Sequence, residues 1–167
     1  MIITRTPLRI SFCGGGTDLP SYYNREQGAV VSSSVNKYIY ITINRLSRYF
    51  DHRISLKYSR TELVNSVDEV VHPIIREAMK LTGVVKNVEI TSMADIPAGT
   101  GLGSSSSYAV GLLHALYSFK GEAVSAGRLA AEACKIEIEL LGDPIGKQDQ
   151  YIAAYGGICH IRFNPDE

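Results

Sequence analysis

The alternation of apolar and polar residues marks the strands first. From Val35 to Asn44, Ile39, Ile41 and Ile43 fall on one face and Tyr38, Tyr40 and Thr42 on the other, which predicts a half-buried strand. Arg53 to Tyr58 repeats the pattern with Ile54 and Leu56, and Asn87 to Met93 repeats it with Val88 and Ile90. Ile2 to Phe12 predicts another strand, interrupted early by Pro7, which has no N–H to give a ladder. Ile158 to Phe163 predicts a last short one. Helical spacing takes over elsewhere. Ile75, Met79 and Leu81 define a helix over 72–81 that Gly83 stops. Leu112, Leu113 and Leu116 supply the core side of a helix over 108–116. Ser125 is placed to cap a helix running to about Leu141, where Gly142-Asp143-Pro144 breaks it. Gln148 to Ala154 predicts a short helix ending at Gly156-Gly157. Strands come first and helices later, so the fold class is α+β rather than strictly alternating α/β. No internal repeat, low-complexity tract or linker divides the chain, and 167 residues predict one domain.

Composition narrows the function classes. Seventeen basic residues balance seventeen acidic ones, which argues against a general nucleic-acid binder and against a membrane-surface protein held by a polybasic face. Hydrophobic residues make up 45% and charged residues 20%, enough for a real core. No run of about 18 apolar residues predicts a membrane span. Pro7 and Arg9 arrive too early for the apolar stretch of a signal peptide. Cys13, Cys134 and Cys159 lie far apart without C-x-x-C spacing, which predicts reduced thiols and a cytoplasmic location. His52, His72, His114 and His160 form no metal-binding pair and read as structural or surface residues.

The candidate chemistry begins after the strand over 87–93. Ala94-Asp95-Ile96-Pro97-Ala98-Gly99-Thr100-Gly101-Leu102-Gly103 runs into Ser104-Ser105-Ser106-Ser107 and then a helix. A strand, a glycine loop and a helix N-terminus make an anion site, because exposed N–H groups and the positive end of the helix dipole face one point. No Gly-Lys-Ser/Thr follows, so this is not a Walker A loop, and neither a Rossmann fingerprint nor a G-x-S-x-G elbow is present. Two carboxylates stand out by position. Ala130, Ala133, Cys134, Glu137 and Leu141 share one helix face, whereas Arg128, Glu132, Lys135 and Glu139 share the other. Glu137 is therefore expected to turn inward, where it needs a metal or a cationic partner, and Glu139 to be solvated. Asp149, in Gly146-Lys147-Gln148-Asp149-Gln150, is either presented to a cleft or simply stabilised by a helix N-terminus.

The run from Pro97 through Gly103 to Ser106 resembles the second motif of the GHMP kinases, the group of galactokinase, homoserine kinase, mevalonate kinase and phosphomevalonate kinase. Pro7-Leu8-Arg9-Ile10-Ser11-Phe12 followed by Gly14-Gly15-Gly16-Thr17-Asp18 resembles their first motif. The triple glycine resembles the branch containing D-glycero-D-manno-heptose 7-phosphate kinase and, more distantly, fucokinase. The resemblance runs from Pro7 to Gly157. It implies a fold like the second domain of ribosomal protein S5, a sheet backed by helices. It also implies an ATP-dependent, cytoplasmic carbohydrate kinase that uses Mg2+.

The same resemblance implies site residues. ATP phosphates would lie on Pro97, Gly99, Gly101, Leu102, Gly103, Ser104, Ser105 and Ser106, and magnesium on Ser105 and Glu137. Asp149 would be the catalytic base, twelve residues after Glu137. Arg9 would sit near the reacting hydroxyl. Gly16, Thr17, Asp18 and Lys147 would meet the sugar phosphate, with the anomeric hydroxyl of heptose 7-phosphate as the leading acceptor. A fucokinase- or galactokinase-like kinase and a non-catalytic nucleotide- or sugar-binding fragment are the alternatives. Family members carry a second domain with a third glycine-rich motif. Residues 1–167 are thus expected to be the N-terminal, ATP-binding domain alone, inactive by itself and open to self-association through an uncovered surface. Arg45, Arg48 and Arg53 form a local basic cluster that reads as a solvated face, with a phosphorylated sugar as the alternative that would give it work.

Overall fold

The structure is a computed structural model that describes residues 1–97 and 99–165. A six-stranded sheet is built around β2, Gly28–Arg45. On one side β2 pairs antiparallel with β1, Ile2–Cys13. On the other side its first half pairs with β6, Ile158–Phe163, and its second half with β5, Val88–Ala94. Beyond β5 lie β3, Ile54–Lys57, which is parallel to β5, and β4, Thr61–Val64. Pro7 does not interrupt β1. It pairs with Tyr38, and the strand absorbs it through a register shift between Pro7 and Leu8. The reason is topological: β1 is the first strand of the sheet order and pairs only with β2, so one edge of it needs no donor. β2 also begins seven residues before the predicted strand, because Ser32, Ser33 and Ser34 are carried into the ladder by pairing with β1 and β6.

The helices cover the face on which Leu8, Ile39, Ile41 and Ile43 are buried. α1 is a single turn, Pro20–Tyr23, and α2 is Pro73–Thr82, ended by Gly83 in the left-handed conformation. α3, Ser104–Lys120, starts at the first serine instead of four residues later. It is the centre of the domain, in contact with α2, α4, α5, β1 and β2. Ala109, Val110, Leu112, Leu113, Ala115, Leu116 and Tyr117 are each no more than 2% exposed, so α3 is apolar nearly all round. The predicted helix from Ser125 to Leu141 is α-helical only from Ala126 to Cys134 (α4) and widens into a π-helical segment from Lys135 to Leu140. α5 is Gln148–Tyr155.

α3 lies close on the sheet at Gly111. Its carbonyl accepts a 2.9 Å bond from the Thr4 hydroxyl, and a Cβ there would stand 2.5 Å from Thr6 Oγ1. Thr4 and Thr6 are both buried, so this strand has no room to yield. Gly111→Val is expected to lower stability by about 1–3 kcal/mol through overpacking. Urea unfolding of the two proteins measures it, and equal midpoints would show that the helix–sheet spacing is loose.

Candidate active site

α3 begins without a side-chain cap. Its N-cap is Gly103, with φ 72°, so the N-cap supplies no side-chain acceptor to the N–H groups of the first turn. Gly99 and Gly101 are also left-handed, with φ of 84° and 73°, which suits glycine and few other residues. Ser106 is buried under the turn, Ser105 is exposed on it, and the Ser107 hydroxyl donates to the Pro7 carbonyl. Ala98, within the loop motif, lies outside the described residues.

Arg9 ties this loop to α5. Its Nε donates to Asp149 Oδ1 at 2.6 Å and its Nη2 to Oδ2 at 2.6 Å, a two-pronged ion pair. Its Nη1 donates to the Gly101 carbonyl at 2.7 Å, and its backbone N–H to the Leu102 carbonyl at 3.1 Å. Gly103 completes the fit: a Cβ on it would stand 3.0 Å from Asp149 Oδ2 and 3.2 Å from Arg9 Cγ. Positive φ and close packing therefore both demand glycine there. Arg9 and Asp149, 140 residues apart, are thus held at the mouth of the loop with side chains 15% and 21% exposed.

The first-motif residues join the same end of the fold. Asp18 is 3% exposed and accepts from the Gln148 N–H at 3.1 Å, from Gln148 Nε2 at 3.3 Å and from the Gly16 N–H at 3.1 Å. The Thr17 hydroxyl accepts from the Ala29 N–H at 3.0 Å and lies 2.8 Å from the Gly14 carbonyl, pinning the glycine turn to β2. In this conformation Asp18 and Thr17 shape the turn, while Gly16 has open space above its Cα. Lys147 sets its ammonium 5.1 Å from the centre of the Tyr23 ring.

Glu137 is fully buried. It lies in the π segment, where the Leu141 N–H bonds five residues back to Ile136; Ile136 and Glu137 are buried there, and Glu139 is exposed. Glu137 Oε2 accepts from Gln150 Nε2 at 2.6 Å. Among the described residues its Oε1, the Ser106 hydroxyl and Gln150 Oε1 have no hydrogen-bond partner. Burial raises the Glu137 pKa, and Gln150, Ser106 and Ser105 act against that rise. The two serine hydroxyls are thus close enough to favour the ionised carboxylate, yet neither closes a well-formed bond onto Oε1. An orphaned carboxylate oxygen under a hydroxyl-lined helix N-terminus fits a hard divalent cation. No metal-sized group of three His, Cys, Asp or Glu occurs among the described residues, so the remaining ligands of such an ion would have to come from hydroxyls and a bound anion.

Beside the loop opens a cleft of about 590 Å³. Pro97, Ser104 and Ser105 form its loop side, and Tyr58, His72 and Tyr108 its aromatic wall. His72 stacks on Tyr108 at 5.3 Å and meets Tyr58 edge-on at 4.9 Å. The Tyr108 hydroxyl pairs with Ser92 at 3.1 Å, and burial pushes its pKa up to about 12. The sequence reading missed this wall, as well as Gln148 and Gln150. The aromatic residues come from three distant segments, and only the two glutamines flanking Asp149 offered a signal.

The family described as GHMP kinases N terminal domain matches residues 65–157. A D-glycero-alpha-D-manno-heptose 7-phosphate kinase of Campylobacter jejuni is 30% identical over 171 residues, covering 97% of this chain and 50% of that protein. A galactokinase of Thermotoga maritima is 28% identical, over 95% of this chain and 45% of that protein. The chain spans about half the length of these curated relatives. The crystal structure of a D-glycero-D-manno-heptose 1-phosphate kinase from Bacteriodes thetaiotaomicron superposes with a TM-score of 0.89 at 28% identity, over 98% of this chain and 56% of that one. A mevalonate kinase at 19% identity shares the fold, with a TM-score of 0.78.

The cleft wall carries a pH dependence. His72 caps α2 by accepting the Ile75 N–H at Nδ1, at 3.5 Å, which requires the neutral ring. Burial lowers its pKa, against the opposing pull of Glu62. The unfolded chain therefore takes up the proton first as pH falls. Stability is present above the ordinary histidine value of 6.5 and is lost as pH drops from there through the lower folded value. Thermal unfolding between pH 7.5 and 5 is expected to show this decline, and His72→Asn, which keeps a capping acceptor, to reduce it. An unchanged pH profile in the variant would remove His72 as the cause.

Proposed function

The chain belongs to the GHMP kinases through their N-terminal domain, and we propose that it binds Mg-ATP and directs the γ-phosphoryl group to a sugar hydroxyl. The observation that carries this reading is the convergence of three features at one helix end. These are the N-terminus of α3, which has no side-chain cap, the unpartnered Glu137 oxygen beneath it, and the Arg9–Asp149 pair at its mouth.

In this reading the N–H groups of Ser104 to Ser106 and the backbone of Gly99 to Gly103 receive the phosphates, aided by the helix dipole. Pro97 and Leu102 shape the loop, and the Tyr58–His72–Tyr108 cleft accepts the base. Ser105 and Glu137 are the residues that would hold magnesium, which when bound neutralises phosphate charge. Asp149 accepts the proton of the attacking hydroxyl. Arg9 occupies one acceptor site on each of its oxygens, and further lone pairs stay free for that proton. As the hydroxyl oxygen bonds to the γ-phosphorus, the bond to the departing ADP oxygen breaks. The proton lost from the hydroxyl resides on Asp149. Gly16, Thr17, Asp18 and Lys147 form the acceptor side, Lys147 being the cation available to an acceptor phosphate. Heptose 7-phosphate, phosphorylated at its anomeric hydroxyl, is the acceptor that the heptose kinase relatives favour. The galactokinase relatives make an unphosphorylated hexose the second reading. An enzyme of this kind would work in the cytoplasm, where ATP and sugar phosphates meet.

Titration calorimetry with Mg-ATP tests the core of the reading. Gly101→Val places a β-branched residue at φ 73° in the loop and is expected to abolish binding. Glu137→Gln is expected to weaken magnesium-dependent binding by about tenfold or more, as loss of a charged ligand group does, and Glu139→Gln to leave it unchanged. Equal affinities across the three variants would contradict it.

A further inference from the structure

We propose that the basic cluster at the opposite end of the sheet is a second ligand site, for a small organic phosphate. Arg45 ends β2, and Arg48 follows it in the next loop. Lys86 comes from the loop before β5, and Phe119 from the last turn of α3. Together with Leu46, Ser47 and Asn87 they line a depression of about 610 Å³. The Leu46 N–H donates to the Asn87 carbonyl at 3.0 Å, so the two loops are clipped together across the floor. Ser104 and Phe119 stand at opposite ends of α3, roughly 22 Å apart at 1.5 Å per residue. The depression is therefore separate from the glycine loop, and the proposal does not depend on the kinase reading.

Charge is what marks this place. The chain as a whole is neutral. Among the described residues Arg45, Arg48 and Lys86 form no ion pair; Glu89 is engaged with Lys57 and Glu122 with Lys120, while Asp51, three residues after Arg48, pairs with none of the three. Arg45 lies 6.0 Å from the Phe119 ring centre and Arg48 5.8 Å from that of Tyr49, contacts that leave their N–H groups free. Three like charges around one hollow repel each other until an anion joins them. The C-terminal end of α3 opposes an anion with about half a charge, which three full charges outweigh. Arginine forks suit a phosphate, and the volume lies within the range of small-molecule sites. The floor is apolar, with Leu46 buried and Phe119 half-buried, so a phosphate ester with a ring or hydrocarbon part fits better than the bare ion. Tyr49 and Phe50 stand exposed on the same loop, which makes a lipid phosphate the other source of the same chemistry.

The test is titration of the isotope-labelled 167-residue chain with phenyl phosphate, followed by amide chemical shifts. Saturable shifts are expected at 45–48, 86–87 and 119. Arg48→Gln and Lys86→Gln, both at exposed positions, should each weaken binding by about tenfold. Lys37→Gln, an exposed lysine elsewhere on β2, should not. The proposal is overturned by shifts confined to 99–106, or by equal weakening from all three substitutions. Inorganic phosphate binding as tightly as phenyl phosphate would also overturn it. So would binding to phosphatidylglycerol–phosphatidylcholine vesicles without saturable binding of phenyl phosphate, since that places the site on a membrane surface.

Discussion

One guanidinium holds the candidate site together. Arg9 spends its Nε and Nη2 on the two oxygens of Asp149 and its Nη1 on the carbonyl of Gly101. Three segments that the chain delivers separately, the edge strand, the glycine loop and the start of α5, are thereby fixed against each other. Bonds to charged groups are stronger than neutral ones and more demanding of geometry, so their positions are coupled. Gly103 follows from the same constraint, because Arg9 and Asp149 occupy the space its side chain would need. The register shift after Pro7 belongs to it too: beyond that point Arg9 and Ser11 meet α5, where Ser11 donates to Gln148 at 2.6 Å.

Glu137 shows the other side of the design. A fully buried carboxylate with an unpartnered oxygen costs stability, and the chain retains it under the N-terminus of α3. The π segment that carries it is a departure from regular helix, of the kind that recurs at functional sites. Gln150 orients one oxygen and leaves the other toward the serines. The cost of Glu137 to folding is what its proposed role in holding a cation would offset.

Much of this was legible in the sequence, for identifiable reasons. The strands with clean alternation and the helices with leucines at three- and four-residue spacing were found because burial on one face imposes that period. The inward turn of Glu137 and the outward turn of Glu139 followed from the same arithmetic. Cases where tertiary contacts overrule local preference were missed. Pro7 sits inside a strand because that strand is on an edge. Three serines join β2 because β1 and β6 flank them. The serine run is helix from its first residue, and α4 loses its α character after Cys134. The hydrogen bonds of Asp18 and Gln148 join positions 130 residues apart, and the aromatic wall joins Tyr58, His72 and Tyr108. No local pattern reports either.

The Arg9 clamp is tested most directly by amide hydrogen exchange over residues 99–107 in Arg9→Gln. Glutamine cannot reproduce the two-pronged pair. If the clamp orders the loop, exchange across 99–107 speeds up by about tenfold or more relative to the wild type, in line with the loss of bonds to charged groups. The core helix beyond Leu112 keeps its protection. Unchanged exchange in the loop would mean that the glycine loop is held by its own backbone, and the site would not depend on Arg9.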